Sequence, residues 1–223
     1  MGSEMCIRDS AEALQLQQLI LFFDPLRQSV VLPAFDVSPY SGLYPNSQSI
    51  SDRVQFIAKA QGAKAGEIFI ASSDALTQKT MPAKILKDYS RTIKAGEELP
   101  ENIADYLTSL GYVAAPMVED KGQFALRGGI VDIFPPTEAQ PVRLDLFGDQ
   151  VESLRHFSVD DQRSSEDITS FLLTPAREVL FRDENHERLL QRVRASIDDR
   201  PVDKAEADET LRSLVLKLSL IHI

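Results

Sequence analysis

The sequence predicts an α/β domain, only partly contained in this chain, followed by a small α+β domain built on an antiparallel sheet. Two observations carry this prediction. In the first part of the chain, apolar strand patterns alternate with capped helix patterns, which is typical of α/β folds. From residue 112 onward, five strand patterns follow one another with short turn sequences between them, which indicates an antiparallel sheet. A length of 223 residues is sufficient for two small domains.

The first helix and strand are short and well bounded. Apolar residues at helical spacing predict a helix over 11–23, which Asp24-Pro25 ends. Ser29-Val30-Val31-Leu32 predicts a short buried strand. The stretch 34–49 is rich in Pro, Ser, Tyr and Gly and is therefore expected to be a loop.

The next elements repeat this order. Ile50, Val54 and Ile57 share one face of a predicted helix, with a serine just before it as the expected cap. Residues 67–71 predict a second buried strand, and Ser72 or Ser73 is expected to cap a short helix after it. This order of strands and helices is the basis of the α/β prediction.

The second part begins with a helix that Pro100 is expected to open and Gly111 to end. Strand 141–147 alternates cleanly, so one face receives apolar side chains and the other receives Arg143, Asp145 and Phe147. Because the preceding hairpin closes near 134 and 141, Asp132 is expected opposite Arg143. The predicted strands of this sheet are 112–118, 122–127, 130–134, 141–147 and 150–157.

After Pro175 the pattern becomes helical again. Leu189, Val193 and Ile197 mark one predicted helix, and an amphipathic stretch around Leu211 and Leu214 marks another.

Composition excludes several classes of function. A net charge of −10 and a pI near 4.8 argue against a dedicated nucleic-acid binder. One cysteine rules out a disulfide framework, and with three histidines it cannot build a Cys/His zinc site. No apolar run approaches the roughly 18 residues of a membrane span. We therefore expect a soluble, cytoplasmic protein with no membrane contact.

Motifs for cofactor chemistry are also missing from the sequence. No glycine fits the phosphate-loop pattern or the dinucleotide pattern G-x-G-x-x-G. His156 and His186 have no evident catalytic partners, and the acidic pairs Asp160-Asp161 and Asp198-Asp199 lie in turn-like sequence. We predict no catalytic residue, no metal site and no cofactor site in this chain, which by itself is not expected to be an enzyme.

The sequences of the two ends indicate that these residues do not come from the natural protein. Residues 218–223 can be encoded by CTG TCT CTT ATA CAC ATC, and the reverse complement in a shifted frame encodes Met-Cys-Ile-Arg-Asp, as found at 5–9. This string resembles a transposon end used in sequencing libraries. We expect 1–10 and 218–223 to be adapter-derived, and 11–217 to be an internal fragment of a longer protein.

Two stretches carry a family resemblance. They are Phe-Ala-Leu-Arg-Gly-Gly-Ile-Val-Asp-Ile-Phe-Pro-Pro at 124–136 and Val-Arg-Leu-Asp-Leu-Phe-Gly-Asp-Gln-Val-Glu-Ser-Leu-Arg at 142–155. Together they contain Arg-Gly, Asp-x-Phe-Pro and Phe-x-Asp-x-[IV]-[ED] in order. They resemble the sheet module shared by the excision-repair protein UvrB and the bacterial transcription-repair coupling factors.

Further segments resemble the coupling factors in particular. Leu-Pro-Ala-Phe-Asp at 32–36, Pro39-Tyr40 and Ile-Ser-Asp-Arg at 50–53 are similar to one run of that family, and 157–164 is similar to its F-D-V-[DE]-x-Q-R-[ST] pattern. The chain departs from the family at Phe35, where Trp is usual, and at 43–45. The resemblance spans about 30–176.

The resemblance implies a domain organisation. Residues 11–92 would be the second half of a degenerate helicase-like domain without ATPase activity. Residues 93–176 would dock UvrA, and 177–217 would return to the first domain. ATP, Mg²⁺, RNA polymerase and double-stranded DNA would bind parts of the parent outside this chain, and the parent would be an ATP-dependent DNA translocase.

The resemblance also implies that Arg127, Arg143 and Phe147 contact UvrA. The residue types fit this role, because arginine and large aromatics dominate interface hot spots. The structural alternative is that Arg143 pairs across the sheet with Asp132 and that Phe147 covers a helix. Gly128-Gly129 is expected to form irregular backbone or a bulge.

Two other functions stay open at this point. The chain could be a fragment of UvrB itself, an ATP-dependent subunit that loads on damaged DNA, and a phosphate loop upstream of Ala11 would favour that reading. It could also be an unrelated α/β domain.

Overall fold

A computed structural model describes residues 10–37, 43, 45–180, 191 and 195. The helices predicted after residue 180 lie almost entirely outside the described residues, as do the ends 1–9 and 218–223.

The first part contains one parallel strand pair and four helices in the described residues. β1 and β2 pair in parallel, with Ser29 opposite Ile68, and α2 forms the crossover between them. This arrangement confirms the α/β prediction. The elements are α1 (Ser10–Phe23), β1 (Ser29–Leu32), α2 (Ser47–Gln61), β2 (Ile68–Ala71), α3 (Ser73–Thr77) and α4 (Ala83–Tyr89).

The helix caps of this part agree with the sequence in one case of two. The Ser72 hydroxyl accepts a hydrogen bond from the Ala75 N–H at 3.2 Å, so Ser72 caps α3 as predicted. The cap of α2 is Asn46, whose side chain accepts from the Gln48 N–H at 2.8 Å. The predicted serine cap is wrong because α2 begins earlier, at Ser47. The short helix α4, which begins after Pro82, was not predicted.

The second part is a six-stranded sheet with a separate two-stranded one. The large sheet has the order β4-β5-β6-β7-β8-β9, and its pairs from β5 onward are antiparallel. β3 pairs antiparallel with β10. The elements are β3 (Arg91–Lys94), α5 (Ile103–Ser109), β4 (Val113–Ala114), β5 (Gln123–Arg127), β6 (Ile130–Ile133), β7 (Val142–Phe147), β8 (Gln150–Phe157), β9 (Ser164–Asp167) and β10 (Ser170–Leu173).

Three expectations for this part need correction. The strand predicted over 112–118 consists of two residues only, and it pairs in parallel with β5. β3, β9 and β10 were not predicted. The helix α5 begins at Ile103 rather than at Pro100, because the Asn102 side chain accepts from the Asp105 N–H at 3.2 Å and caps it there.

The end of α5 is as predicted. Gly111 has a φ of +86°, its N–H donates to the Thr108 carbonyl at 2.9 Å, and the Tyr112 N–H donates to the Leu107 carbonyl at 3.1 Å. This pair of bonds is the Schellman motif, which requires a residue in the left-handed region. Glycine adopts that region without steric cost.

The sheet has a main core on one face and a smaller cluster on the other. The main core includes Ile93 from β3, Leu107 from α5 and Leu144 from β7, all fully buried. The smaller cluster consists of Val118, Ala125, Phe134 and Phe157. Apolar side chains therefore cover part of both faces of the sheet, so its polar side chains occupy only a limited part of the surface.

A buried ion pair ties the end of the sheet domain back to the first part. The Arg53 side chain is fully buried, and its Nε lies 2.7 Å from Glu178 Oε2. Arg53 Nη1 donates to the Pro33 carbonyl at 2.8 Å, and its guanidinium lies over the Phe35 ring. Glu178 Oε1 accepts from the Met81 N–H at 3.3 Å. Arg53 and Glu178 are 125 residues apart in sequence, so this pair closes the chain into one unit.

Replacing Glu178 is expected to destabilise the protein strongly. The variant Glu178→Ala leaves the Arg53 guanidinium buried without its carboxylate, and such a loss costs about 3–5 kcal/mol of unfolding free energy. Urea denaturation measures this change. The control is Asp24→Ala, which removes an ion pair exposed on both sides and is expected to cost about 0–1 kcal/mol. Equal losses in the two variants would contradict the role assigned to the buried pair.

The predicted domain boundary at residue 93 falls inside β3, which suggests a test of independent folding. Arg91 and Thr92 pair with Leu173 and Leu172, and Tyr89 packs against the main core. We predict that residues 93–176 fold alone, and that a chain of residues 88–176 melts at a higher temperature because it keeps these contacts. Calorimetry of both chains measures this. Equal melting temperatures, or no cooperative transition in either chain, would contradict the prediction.

Candidate docking surface on the sheet

Two of the predicted contact residues lie at one end of the sheet. β5 and β7 are both antiparallel to β6, so they run in the same direction and their last residues lie at the same end of the sheet. Arg127 is the last residue of β5 and Phe147 the last of β7. The two ends are joined by a hydrogen bond from the Leu146 N–H to the Gly129 carbonyl at 2.7 Å. The fold therefore brings Arg127 and Phe147 to a common end.

Tight two-residue turns produce this common end. Arg127 pairs with Ile130, and Phe147 pairs with Gln150, so each turn contains two residues. The first residue of each turn is a glycine with a φ of +61°, Gly128 in one and Gly148 in the other. Glycine at the first position is typical of hairpin turns that match the strand twist. Gly128-Gly129 thus forms the tight turn between β5 and β6, which agrees with the irregular backbone expected there, and the pairing of these two strands contains no bulge.

A buried carboxylate organises the polar face behind these turns. Asp132 is 0% exposed, and its Oδ1 lies 2.7 Å from Arg143 Nε. Its Oδ2 accepts from Arg143 Nη2 at 2.9 Å and also from Arg127 Nη2. Asp132 and Arg143 are direct cross-strand partners. The predicted pairing of Arg143 with Asp132 is confirmed, and Arg127 shares the same carboxylate.

Arg143 is enclosed by its partners. Its side chain is 14% exposed, its Nη1 donates to the Gln162 carbonyl at 3.1 Å and to Ser164 Oγ at 3.3 Å, and its guanidinium lies 4.6 Å from the Phe157 ring centre. The hydrogen bonds with Asp132 raise the pKa of Arg143, although burial acts in the opposite direction. Arg143 is therefore held as part of the framework, because all three nitrogens of its guanidinium donate hydrogen bonds within the sheet domain.

Arg127 and Phe147 are more accessible. The Arg127 side chain is 46% exposed, and Phe147 is 76% exposed. Alternation along β7 places Phe147 on the same face as Arg143. Phe147 covers no helix in the described part of the chain, where its side chain is exposed. An exposed aromatic and a half-exposed arginine at the same end of a sheet are residue types expected at the centre of a protein interface.

A second ion pair continues the polar face across β7 and β8. Asp145 accepts from Ser153 Oγ at 2.5 Å and from Arg155 Nη2. Burial acts to raise the pKa of Asp145, but these hydrogen bonds and the charges of Arg155 and Arg143 outweigh it, and the pKa is lowered. Sequence reasoning missed this pair.

The described residues offer no sign of other chemistry. No group of three or more His, Cys, Asp or Glu among them is arranged to hold a metal ion. No helix within the same residues is long and apolar enough to cross a membrane.

The class of domain follows from comparison with known families. Residues 92–179 match the family model of the UvrB interaction domain. This match covers the whole sheet with its hairpin turns, so the surface described above belongs to a UvrB interaction domain.

Similarity to individual proteins narrows the comparison from a domain family to one kind of protein. The chain is 33% identical over 75% of its length to the transcription-repair-coupling factor of Myxococcus xanthus. It is 37% identical over 56% of its length to that of Bacillus subtilis, and 31% identical over 76% to that of Escherichia coli. It spans only 14%, 11% and 15% of the length of these relatives. The resemblance to the coupling factors is confirmed, and the UvrB alternative is not favoured.

The lowered pKa of Asp145 predicts an acid-dependent loss of stability. Its folded pKa lies below the unfolded value near 3.9, so its contribution is complete above that pH and is lost as the pH falls through the folded pKa. We expect the unfolding free energy of Asp145→Asn to fall less steeply than that of the unsubstituted chain as the pH is lowered from 5 to 3. Urea denaturation at each pH measures the slope.

The control for this experiment is Asp88→Asn, because Asp88 is exposed and shows no hydrogen bond or ion pair within the described residues. Asp88→Asn should keep the slope of the unsubstituted chain. An unchanged slope in Asp145→Asn would contradict the prediction.

Proposed function

We propose that residues 92–179 recruit UvrA in transcription-coupled nucleotide excision repair, as part of a transcription-repair coupling factor. The observation that carries the proposal is that Phe147 and Arg127 are both exposed at the same end of the sheet, within the residues that match the UvrB interaction domain. The names of the relatives support the repair context. In this role the chain is a binding platform and performs no reaction.

Each residue of the predicted site has a distinct part in this proposal. Phe147 supplies apolar area that is lost from water when UvrA covers it. Arg127 gives one amino group to Asp132 and keeps the rest of its guanidinium for the partner. Arg143 contributes a smaller direct contact and holds Asp132, and through it Arg127, in place.

Further activities are proposed for the parent protein and not for this chain. ATP and Mg²⁺ would act in motor domains elsewhere in the parent, which would translocate on double-stranded DNA and contact RNA polymerase. A cytoplasmic location fits this setting. The chain's own share is the docking of UvrA.

Calorimetric titration of the full chain with UvrA tests the proposal. We expect binding by the unsubstituted chain, and a loss of about 2 kcal/mol, close to 30-fold in affinity, for Phe147→Ala and for Arg127→Ala. Phe147→Ala should keep its melting temperature because this side chain is exposed, whereas Arg127→Ala should melt at a somewhat lower temperature because the buried Asp132 loses one of its two partners. Arg143→Ala is expected to lose affinity as well, together with some stability, because Asp132 loses its bidentate partner.

Matched controls come from exposed residues elsewhere. Phe22 on α1 is also 76% exposed, and Arg27, which lies between α1 and β1, has a side chain 44% exposed. Phe22→Ala and Arg27→Ala should bind UvrA like the unsubstituted chain. No binding by the folded, unsubstituted chain would refute the proposal, as would equal losses in Phe22→Ala and Phe147→Ala.

A further inference from the structure

The segment between β8 and β9 contains a hydrogen-bonded loop that includes none of the proposed docking residues. Residues 158–163 form a closed loop, in which the Ser158 N–H donates to the Arg163 carbonyl at 3.0 Å and the Gln162 N–H donates to the Ser158 carbonyl at 2.9 Å. This loop lies against the polar face, directly beside Arg143. Its sequence is part of the segment 157–164, which is similar to a pattern of the coupling factors.

Gln162 has an unfavourable conformation. Its φ of +59° is the one positive value at a non-glycine residue within the described ranges. Its Oε1 atom is buried without a hydrogen-bond partner there. Left-handed backbone at a residue with a side chain and an unpaired buried oxygen both destabilise a fold. A conformation with both costs persists only where surrounding contacts enforce it, and such positions cluster at functional sites.

The contacts of the Gln162 side chain do enforce it. Nε2 donates to the Val159 carbonyl at 2.9 Å and to the Val118 carbonyl at 3.2 Å. Val159 belongs to the same loop, whereas Val118 lies in the segment between β4 and β5. The amide therefore fastens the loop to the smaller apolar cluster, of which Val118 is a fully buried member.

The backbone of Gln162 carries this fastening to the docking surface. Its carbonyl accepts from Arg143 Nη1 at 3.1 Å, the atom of the guanidinium that does not bind Asp132. Ser164 Oγ accepts from the same nitrogen, and the Phe157 ring supports the guanidinium from one side. Because Asp132 binds Nε and Nη2 while the Gln162 carbonyl and Ser164 bind Nη1, the Gln162 carbonyl helps to fix the plane of the Arg143 guanidinium.

We propose that Gln162 is a positioning residue for UvrA docking, which acts through Arg143. Its side-chain amide holds the loop so that the carbonyl, by binding Nη1, keeps the Arg143 guanidinium in the orientation that a partner meets. This inference rests on the proposed function, because it concerns the affinity of the same surface. It adds a residue that itself needs no contact with UvrA.

The most informative variant is Gln162→Gly. Glycine adopts a φ near +60° without strain, so the loop can keep its backbone conformation while the amide is lost. We expect UvrA affinity to fall by about fivefold, within the range for residues that are coupled through a shared contact. The melting temperature should change little, since the relief of strain opposes the loss of the hydrogen bonds.

A double-mutant cycle separates positioning from a general structural effect. Gln162→Gly should have no further effect on affinity in an Arg143→Ala background, and its full effect in a Phe147→Ala background. Equal effects in both backgrounds would overturn the proposal, and so would unchanged affinity of Gln162→Gly for UvrA.

A second measurement keeps the inference testable if the chain does not bind UvrA. The NMR signals of the Arg143 Nη1 protons report the fastening directly in the full chain. We expect these protons to exchange with water faster in Gln162→Gly than in the unsubstituted chain. Unchanged exchange would overturn the positioning role, whereas absence of UvrA binding with faster exchange would refute the proposed function alone.

Discussion

The docking surface depends on one buried carboxylate that two arginines share. Asp132 lies in the centre of the sheet without solvent contact, and it is the partner of both Arg143 and Arg127. A buried charge is costly unless it is paired and hydrogen-bonded. Strand registers or side-chain conformations that separate Asp132 from these arginines are therefore strongly disfavoured. The pair Asp132–Arg143 also spans two adjacent strands. The carboxylate therefore holds the strand register and the arginine orientation together.

This arrangement divides the polar face into a framework and a contact edge. Arg143, Asp145 and Arg155 are occupied by partners on neighbouring strands. Arg127 and Phe147 are the last residues of β5 and β7, and tight turns keep both at the same end of the sheet. A surface of this kind presents large side chains with little freedom left to lose on binding. Rigid presentation of this sort lowers the entropic cost of association.

The register of the central strands was predictable from the sequence for a clear reason. Strict alternation along 141–147 and a hairpin that closes near 134 and 141 leave one pairing that buries the apolar row, and this places Asp132 opposite Arg143. The partners on β8 were not predictable. A register shift after Asp145 places it opposite Ser153, and without that shift Arg155 would lie on the other face.

Other misses have similarly local causes. β9 consists of Ser164–Asp167, which are all exposed and polar, so no apolar pattern marks it as a strand. Asn46 and Asn102 cap their helices in competition with nearby residues that are equally good by type, and only the hydrogen-bond geometry decides between them. The positive φ of Gln162 left no signal in the sequence, because the contacts that enforce it come from distant segments.

The proposed UvrA contact lies at the ends of β5 and β7, and hydrogen exchange of the full chain with and without UvrA tests this location most directly. Backbone amides in 126–130 and 145–150 should gain protection when UvrA is added, while α1 and β9 should not. Protection confined to α1 or β9, or no change anywhere on the sheet, would contradict the account.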